Sequence, residues 1–377
     1  MTVYDPWQGK TYEADIKVPG GIARGLLGVP PFIDMHTHVR WPHFETYTTL
    51  ARACVGGGFG ICTIQPNTKP HLDRVSTIHI HMKKAEREKD LVSFLFTASL
   101  FGEETDMGVA YSTDGIPYKL EDLYYHLKVK KPRLLMDHSQ LYGLGGMFYE
   151  GAPPYLPRRG LTWEAAAVFR TALLAYEENW RDIHIQHVST PHTVETVLHL
   201  RSILKDMNIT MEITPHHLLL SAEDIRNTNM KINPPLAPHR ERKKLVEMVK
   251  NGVIDILATD HAPHPDKGED YKKAPYGSSH IEVALPAFYT ALGDIYKVVD
   301  MLTVAPSRIL GVKAGAMPDN MVVIDPEGTT YVDGKKFFSM GKNTAFDGMT
   351  LRGRIVGVKR GGRWIYWEGE FMEGESL

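Results

Sequence analysis

The chain has 377 residues, 43% hydrophobic and 23% charged, with a formal net charge of −2. That is enough chain for one large core and a small appendage, and the near balance of charge excludes a bulk nucleic-acid or membrane-surface binder. Cys54 and Cys62 are the only cysteines, too few for a disulfide framework; with no apolar run near the length of a membrane span and no basic or apolar leader in Met1-Thr-Val-Tyr-Asp-Pro-Trp7, the expectation is a cytoplasmic protein.

Residues 1–28 read as two short β segments, with Gly20-Gly21 and Gly25 as turn signals. Strands then alternate with amphipathic helical stretches such as 161–178 and 191–206. The strands are predicted near 32–36, 61–65, 92–98, 108–112, 133–137, 183–187, 209–213 and 254–259. Such alternation predicts a TIM-like (β/α)8 barrel over residues 29–315, whose active site gathers at the C-terminal strand ends. One crossover is awkward: about nine residues separate 92–98 from 108–112, short of the dozen or so that a parallel connection needs. Its helix must shrink to one turn, or the fourth strand lies elsewhere. After residue 315 the pattern changes to short strands with glycines at Met321-Val-Val-Ile-Asp325, Arg354-Ile-Val-Gly-Val358 and Trp364-Ile-Tyr-Trp367. Residues 1–28 and 316–377 are expected to form a small, reduced β-sandwich domain.

The polar residues at the predicted strand ends carry the chemistry. Phe32-Ile-Asp-Met-His-Thr-His-Val-Arg40 ends the first barrel strand. Residues two apart on a strand share a side, so His36 and His38 can offer two imidazoles to one ion. An isolated His-x-His as readily closes a strand, so the other strand ends decide. They supply Ser112-Thr-Asp114-Gly115, Leu135-Met-Asp-His138, Gln186-His187 and Thr259-Asp260-His261-Ala-Pro-His264. Four histidines and two aspartates, His36, His38, His138, His187, Asp114 and Asp260, would converge on one barrel mouth. Imidazole and carboxylate suit a borderline cation such as zinc, and a set this large suits a two-metal site with a carboxylate bridge. His79 and His81 repeat the spelling in a helical stretch, where i and i+2 face different ways, and read as structural. His216-His217 lies near the mouth, but adjacent strand residues cannot both face one ion.

Laid out together, these pieces resemble a dihydroorotase of the cyclic-amidohydrolase superfamily from about residue 30 to 350. The pieces are FIDMHTHVR (32–40), QPNTKP (65–70), STDG (112–115), DHSQ (137–140), HVST (187–190), EITPHHLLL (212–220), KINPPL (231–236), ATDHAPH (258–264), KAPYG (273–277) and GKNTAFDG (341–348). The metal motifs indicate only the superfamily; PNT, INPPL and TDHAPH together are far more specific. Hydantoinases and allantoinases are near neighbours, but no lysine stands at the end of the fourth predicted strand, where their G-x-K-x-[FY] segment would place the bridging lysine.

The resemblance implies two Zn2+ ions bridged by Asp114 and a hydroxide. His36, His38 and Asp260 would hold one ion and His138 and His187 the other, with Asp260 also the catalytic acid–base. Arg40, Asn67 and His264 would hold the substrate carboxylate, and Asn233 with the Tyr276-Gly277 backbone its amide edge. The implied reaction is the reversible closure of N-carbamoyl-L-aspartate to L-dihydroorotate in pyrimidine synthesis. Candidate partners are this small-molecule substrate, a second copy of the chain, and aspartate transcarbamoylase. The chain departs from the family pattern in His138-Ser-Gln140 where His-x-Glu is common, in Trp41-Pro-His43-Phe44 where Gly-Gly is usual, in Thr113 where a second Asp is frequent, and in a shorter N-terminal β segment. Two alternatives stay open: another cyclic-amide hydrolase of the hydantoinase or allantoinase kind, and an inactive barrel that scaffolds aspartate transcarbamoylase.

Overall fold

The computed structural model describes residues 1–21 and 23–372. Strands β1 (Thr2–Asp5), β2 (Lys10–Glu13) and β3 (Leu27–Val29) come first, one more than the glycine punctuation indicated. The barrel half then runs β4 (Phe32–Thr37), α1 (Tyr47–Gly56), β5 (Phe59–Ile64), α2 (Val75–Ala85), β6 (Ser93–Ser99), β7 (Ala110–Ser112), α3 (Leu120–Val129) and β8 (Leu135–Asp137). It continues through α4 (Trp163–Glu177), β9 (Asp182–Ile185), α5 (Pro191–Ile203), β10 (Asn208–Ile213), α6 (Pro215–Leu219), α7 (His239–Lys250), β11 (Ile256–Leu257), α8 (Ala284–Leu292) and α9 (Ile295–Leu310). β12 (Met321–Tyr331), β13 (Thr350–Arg360), β14 (Arg363–Trp367) and β15 (Glu370–Phe371) close the chain.

Strands β4 to β11 form one parallel sheet in sequential order. β4 and β5 are buried at every position, as strands covered on both faces must be. The sheet curls until β4 meets the chain after β11. His38 N–H donates to the His261 carbonyl at 2.9 Å, and Thr259 donates through its backbone N–H (2.9 Å) and Oγ1 (2.6 Å) to the buried Asp34 carboxylate. Asp34 therefore stitches the seam on which the first and last site segments meet.

The short crossover is a loop without a helix, and the fourth strand stands where the sequence placed it: Thr97 on β6 pairs with Ala110 on β7. Because β7 has three residues, the chain has little length to retrace. The loop still needs partners for its backbone groups. Tyr111 Oη accepts from Thr105 N–H and donates to Thr105 O, while the Arg133 guanidinium donates to the carbonyls of Met107, Gly108 and Ala110.

Both ends of the chain enter a second sheet, ordered β15-β14-β13-β12-β3-β1-β2. Its strands alternate as the two-residue period requires: Val322 and Ile324 join the barrel core, whereas Met321 and Val323 pack with Val3, Val356 and Trp364. The connection between β12 and β13, residues 332–349, returns to the barrel mouth, where Lys342 N–H meets the His264 carbonyl at 3.1 Å. Among the described residues no helix is long and apolar enough to cross a membrane.

Candidate active site

His36 and His38 point to one side of β4, as their spacing demands. His36 Nε2 lies 2.9 Å from Asp114 Oδ2 and 3.5 Å from Asp260 Oδ1; His38 Nε2 lies 3.4 and 3.1 Å from the same atoms. The donor atoms of His36, His38 and Asp260 all fall within 4.8 Å of one another, and all three residues are buried. Asp114 turns its other oxygen, Oδ1, toward His138 Nδ1 at 3.6 Å, and His138 Nδ1 lies 2.8 Å from His187 Nε2. One carboxylate thus stands between two groups of imidazoles.

The local backbone explains how Asp114 is aimed. Gln65 Nε2 donates to the Met35 carbonyl, Ser112 Oγ donates to Gln65 Oε1, and Asp114 N–H donates to Ser112 Oγ, a chain running from β4 to the end of β7. Gly115 follows at φ +72°, where a Cβ would sit 2.3 Å from that of Asn67; only glycine lets Asn67 come this close. Asn67 in turn holds His38, its Oδ1 2.7 Å from Nδ1, which leaves Nε2 facing the carboxylates.

Electrostatics keep the carboxylates charged. Burial pushes Asp114 upward, but His38, His36 and His138 outweigh it and hold Asp114 well below the usual range. Asp260, also pushed up by burial, is drawn down to about 2 by His36 and His38. Burial, with His138 and His36 beside it, sets His187 well below an ordinary imidazole. Two ring nitrogens at 2.8 Å need a cation or a proton between them. Imidazoles facing shared carboxylate oxygens at these distances are a donor set that fits divalent metal.

The backbone is strained at the same place. Among the described residues the non-glycine positions with positive φ are Arg40 (45°), Asn179 (63°), His187 (35°), Asp260 (49°) and Glu368 (47°). Three of the five are candidate site residues at strand ends, and conformations this unfavourable concentrate where function requires a particular aim.

A cavity of about 530 Å3 opens over the cluster, lined by His38, Arg40, Asn67, Asp114, His138, Asn233, Tyr276 and Gly277 among others. Half-buried Arg40 donates through Nη1 to the Tyr276 carbonyl (3.1 Å) and lies against His264 Nε2. Among the described residues no carboxylate comes within ion-pair distance (4.0 Å) of its guanidinium. Burial and the neighbouring Arg40 bring His264 down to about 3, so its ring is neutral. Asn233 is already tied at both ends: Oδ1 accepts from Arg159 Nη1 at 2.7 Å, and Nδ2 faces His138 Nε2 at 3.1 Å and Gln140 Oε1 at 3.0 Å. Gln140 Oε1 lies 3.3 Å from His138 Nε2.

Glu212 went unassigned in the sequence because it reads as an ordinary residue of β10. Its Oε1 lies 2.5 Å from His36 Nδ1 and accepts from His187 N–H at 3.1 Å, and its Oε2 lies 2.9 Å from His184 Nε2. Burial and the Glu212 carboxylate oppose each other on His36, and the carboxylates win, holding His36 well above its ordinary value. Such partners of ligating histidines typically contribute ~10–100-fold to metal affinity. Glu212→Gln is expected to lose that much in a metal titration of the apoprotein while keeping its circular-dichroism spectrum; unchanged affinity would assign Glu212 to the core alone. Three of the other histidines are accounted for more simply, whereas neither ring nitrogen of buried His216 has a hydrogen-bond partner among the described residues. His81 is buried with Nδ1 at Tyr47 Oη (2.9 Å) and Nε2 at Pro70 O (3.0 Å), His79 faces solvent, and His217 is held by Thr214 Oγ1 and Pro234 O.

A parallel eight-stranded barrel with His-x-His on its first strand, an aspartate after its last and a carboxylate between two imidazole groups defines a metal-dependent hydrolase. Solved structures agree on the fold: D-hydantoinase from Bacillus sp. AR9 superposes with a TM-score of 0.80 at 20% identity over 98% of this chain and 95% of that one, and L-hydantoinase from Arthrobacter aurescens with 0.78 at 21% over 92% and 86%. No family model matches the chain. Curated relatives are more specific. A putative dihydroorotase of Thermotoga maritima is 46% identical over 99% of this chain and 98% of its own, and a dihydroorotase of Bacillus subtilis is 31% identical over 93% and 90%. The chain belongs to the dihydroorotase family of metal-dependent cyclic amidohydrolases.

Proposed function

We propose that the protein is a zinc dihydroorotase that interconverts N-carbamoyl-L-aspartate and L-dihydroorotate in pyrimidine synthesis, in the cytoplasm. The observation that carries this reading is Arg40: a half-buried guanidinium without an acidic partner among the described residues, on the cavity that holds the imidazole–carboxylate cluster. Dihydroorotate is a cyclic amide with a carboxylate on its ring. Hydantoin and allantoin are cyclic amides without one, and leave Arg40 unanswered.

His36, His38 and Asp260 would hold one zinc and His138 and His187 a second, with Asp114 bridging. Bound there, such ions supply a water acidified toward neutral pH and Lewis acidity against the ring carbonyl. The chain supplies the rest. Arg40, with His264 and Asn67, seats the substrate carboxylate; Asn233 and the Tyr276-Gly277 backbone border its amide edge. Asp260, ionised at neutral pH, takes the proton of the attacking water and returns it to the leaving ring nitrogen. Run backward, the same transfers close the ring.

The test is a zinc-supplemented assay with dihydroorotate beside hydantoin and allantoin. Turnover of dihydroorotate alone supports the reading; preference for either control overturns it in favour of a hydantoinase or allantoinase. Absence of any turnover, with association in a mixture with aspartate transcarbamoylase, would favour the scaffold. Size-exclusion chromatography of the protein alone reports whether two copies pair.

Arg40→Lys should already be costly, since one ammonium cannot reproduce a two-pronged fork. The expected loss is ~1.5–3 kcal/mol, mostly as a raised KM for dihydroorotate. An unchanged KM would show that Arg40 serves another purpose.

A further inference from the structure

The substrate wall of the cavity is built on the loop after β11, and that loop has little regular structure of its own between Ala258 and His280. Much of what fixes it comes from elsewhere in the chain. Asn343, 2% exposed, sits in the 332–349 connection of the second sheet. Its Oδ1 accepts from His264 N–H at 2.8 Å and from Ser279 Oγ at 2.7 Å, and its Nδ2 donates to the carbonyls of Ala262 at 3.2 Å and Gly277 at 3.0 Å. The orientation of the amide is unambiguous, because the two carbonyls can only accept and the His264 amide can only donate. Every partner lies on the loop, and His264 and Gly277 are two of its proposed substrate contacts.

A second brace meets the same turn from within the loop. Lys267, 5% exposed, donates through Nζ to the carbonyls of Gly277 (2.7 Å) and Lys231 (2.9 Å). Lys231, 2% exposed, donates through Nζ to Tyr271 O (2.7 Å) and Ala274 O (2.6 Å), and its carbonyl accepts from Gly277 N–H at 3.1 Å. Gly277 itself, at φ +125°, packs so closely that a Cβ would lie 2.6 Å from Ala262 Cβ and 3.3 Å from Arg40 Nη1. The turn facing substrate is therefore held on the backbone atoms of Gly277: the side chains of Asn343 and Lys267 donate to its carbonyl, and the Lys231 carbonyl accepts from its N–H.

We infer that Asn343 is a positioning residue for substrate binding, a strut by which the terminal sheet sets His264 and the Tyr276-Gly277 turn against Arg40, with Lys267 as its counterpart. The inference deepens the proposed function and rests on it for the identity of the substrate. Asn343 makes no hydrogen bond to the imidazole–carboxylate cluster among the described residues, so its loss should fall on binding and leave the metal and the chemical step in place. Displacement of positioning groups by about an ångström can cost ~10²-fold.

The experiment uses the full-length zinc-loaded protein and three variants. Asn343→Ala removes the strut, Asn343→Asp keeps its volume but turns an oxygen on two carbonyls, and Lys267→Met removes the second brace. Each is expected to raise KM for dihydroorotate about 10–100-fold, to change kcat only a few-fold and to leave metal content unchanged. In a His264→Ala background Asn343→Ala should cost much less than it does alone, because residues acting through one contact are not additive. Hydrogen exchange should accelerate in the 274–279 segment and remain slow in β10. Full additivity with His264→Ala, a loss confined to kcat, or unaltered exchange at 274–279 would overturn the inference. Should the unmodified protein leave dihydroorotate untouched, the proposed function falls by itself, and the exchange measurement still decides whether Asn343 holds the turn.

Discussion

Asp260→Asn is expected to abolish turnover in both directions while leaving the fold intact. Asparagine has the same shape and still offers Oδ1 to His36 and His38, which lie 3.5 and 3.1 Å from it. What it cannot do is accept a proton and pass it on. The loss of general acid–base catalysis alone is worth ~10²–10⁴-fold, and it falls on kcat because the residue acts on the reacting atoms. In the wild-type protein His36 and His38 overcome burial and hold Asp260 at about 2, so the carboxylate is charged throughout the neutral range. Steady-state rates for ring opening and ring closure, measured beside metal content, check the expectation. Near-wild-type turnover in this variant would sink the assignment.

Asp114→Ala should strike the metal itself. Oδ2 faces His36 and His38 and Oδ1 faces His138, so its removal takes a ligand from both proposed ions, and metal per chain should fall well below wild type with activity following. The rival is the modified lysine that bridges in much of the wider superfamily. The nearest downstream lysine is Lys119, just ahead of α3, with its side chain 79% exposed and its ammonium 3.4 Å from Glu121. Lys119→Ala is therefore expected to keep both metal and activity, and turnover should not respond to added bicarbonate. A mass increase of about one CO2 on any lysine near the site, or full metal occupancy in Asp114→Ala, would return the bridge to lysine chemistry.

The barrel was legible in the sequence because its strands are short apolar runs ending in polar residues, and the pairing of His36 with His38 followed from the two-residue period of a strand. The fourth strand was harder. Its missing helix is replaced by the phenol of Tyr111 and the guanidinium of Arg133, substitutes that no periodicity reveals. Glu212 escaped because a carboxylate inside a strand looks like an outward-facing residue until β9 and β4 are folded beside it. Asn343 and Lys267 escaped for a related reason: all but one of the partners named for them are backbone atoms, as many as 81 positions away, and a backbone carbonyl leaves no mark in a sequence. Residues that touch substrate or metal tend to carry recognisable chemistry; those that hold them in place are recognised only by what they reach.

The left-handed backbone at Arg40, His187 and Asp260 bears on how this chain can change over time. Strained positions of this kind cost about 1–3 kcal/mol each, so together they take a sizeable share of the ~5–15 kcal/mol that keeps a typical domain folded. Glycine at any of the three would release its part. A lineage kept only for its shape would be free to make such exchanges, because the contacts given up are those of the site itself. This chain carries an arginine, a histidine and an aspartate there. Strain of this kind persists where side chains must be aimed at one place, and a descendant in which all three had relaxed to glycine would be recognisable as a barrel retired from catalysis.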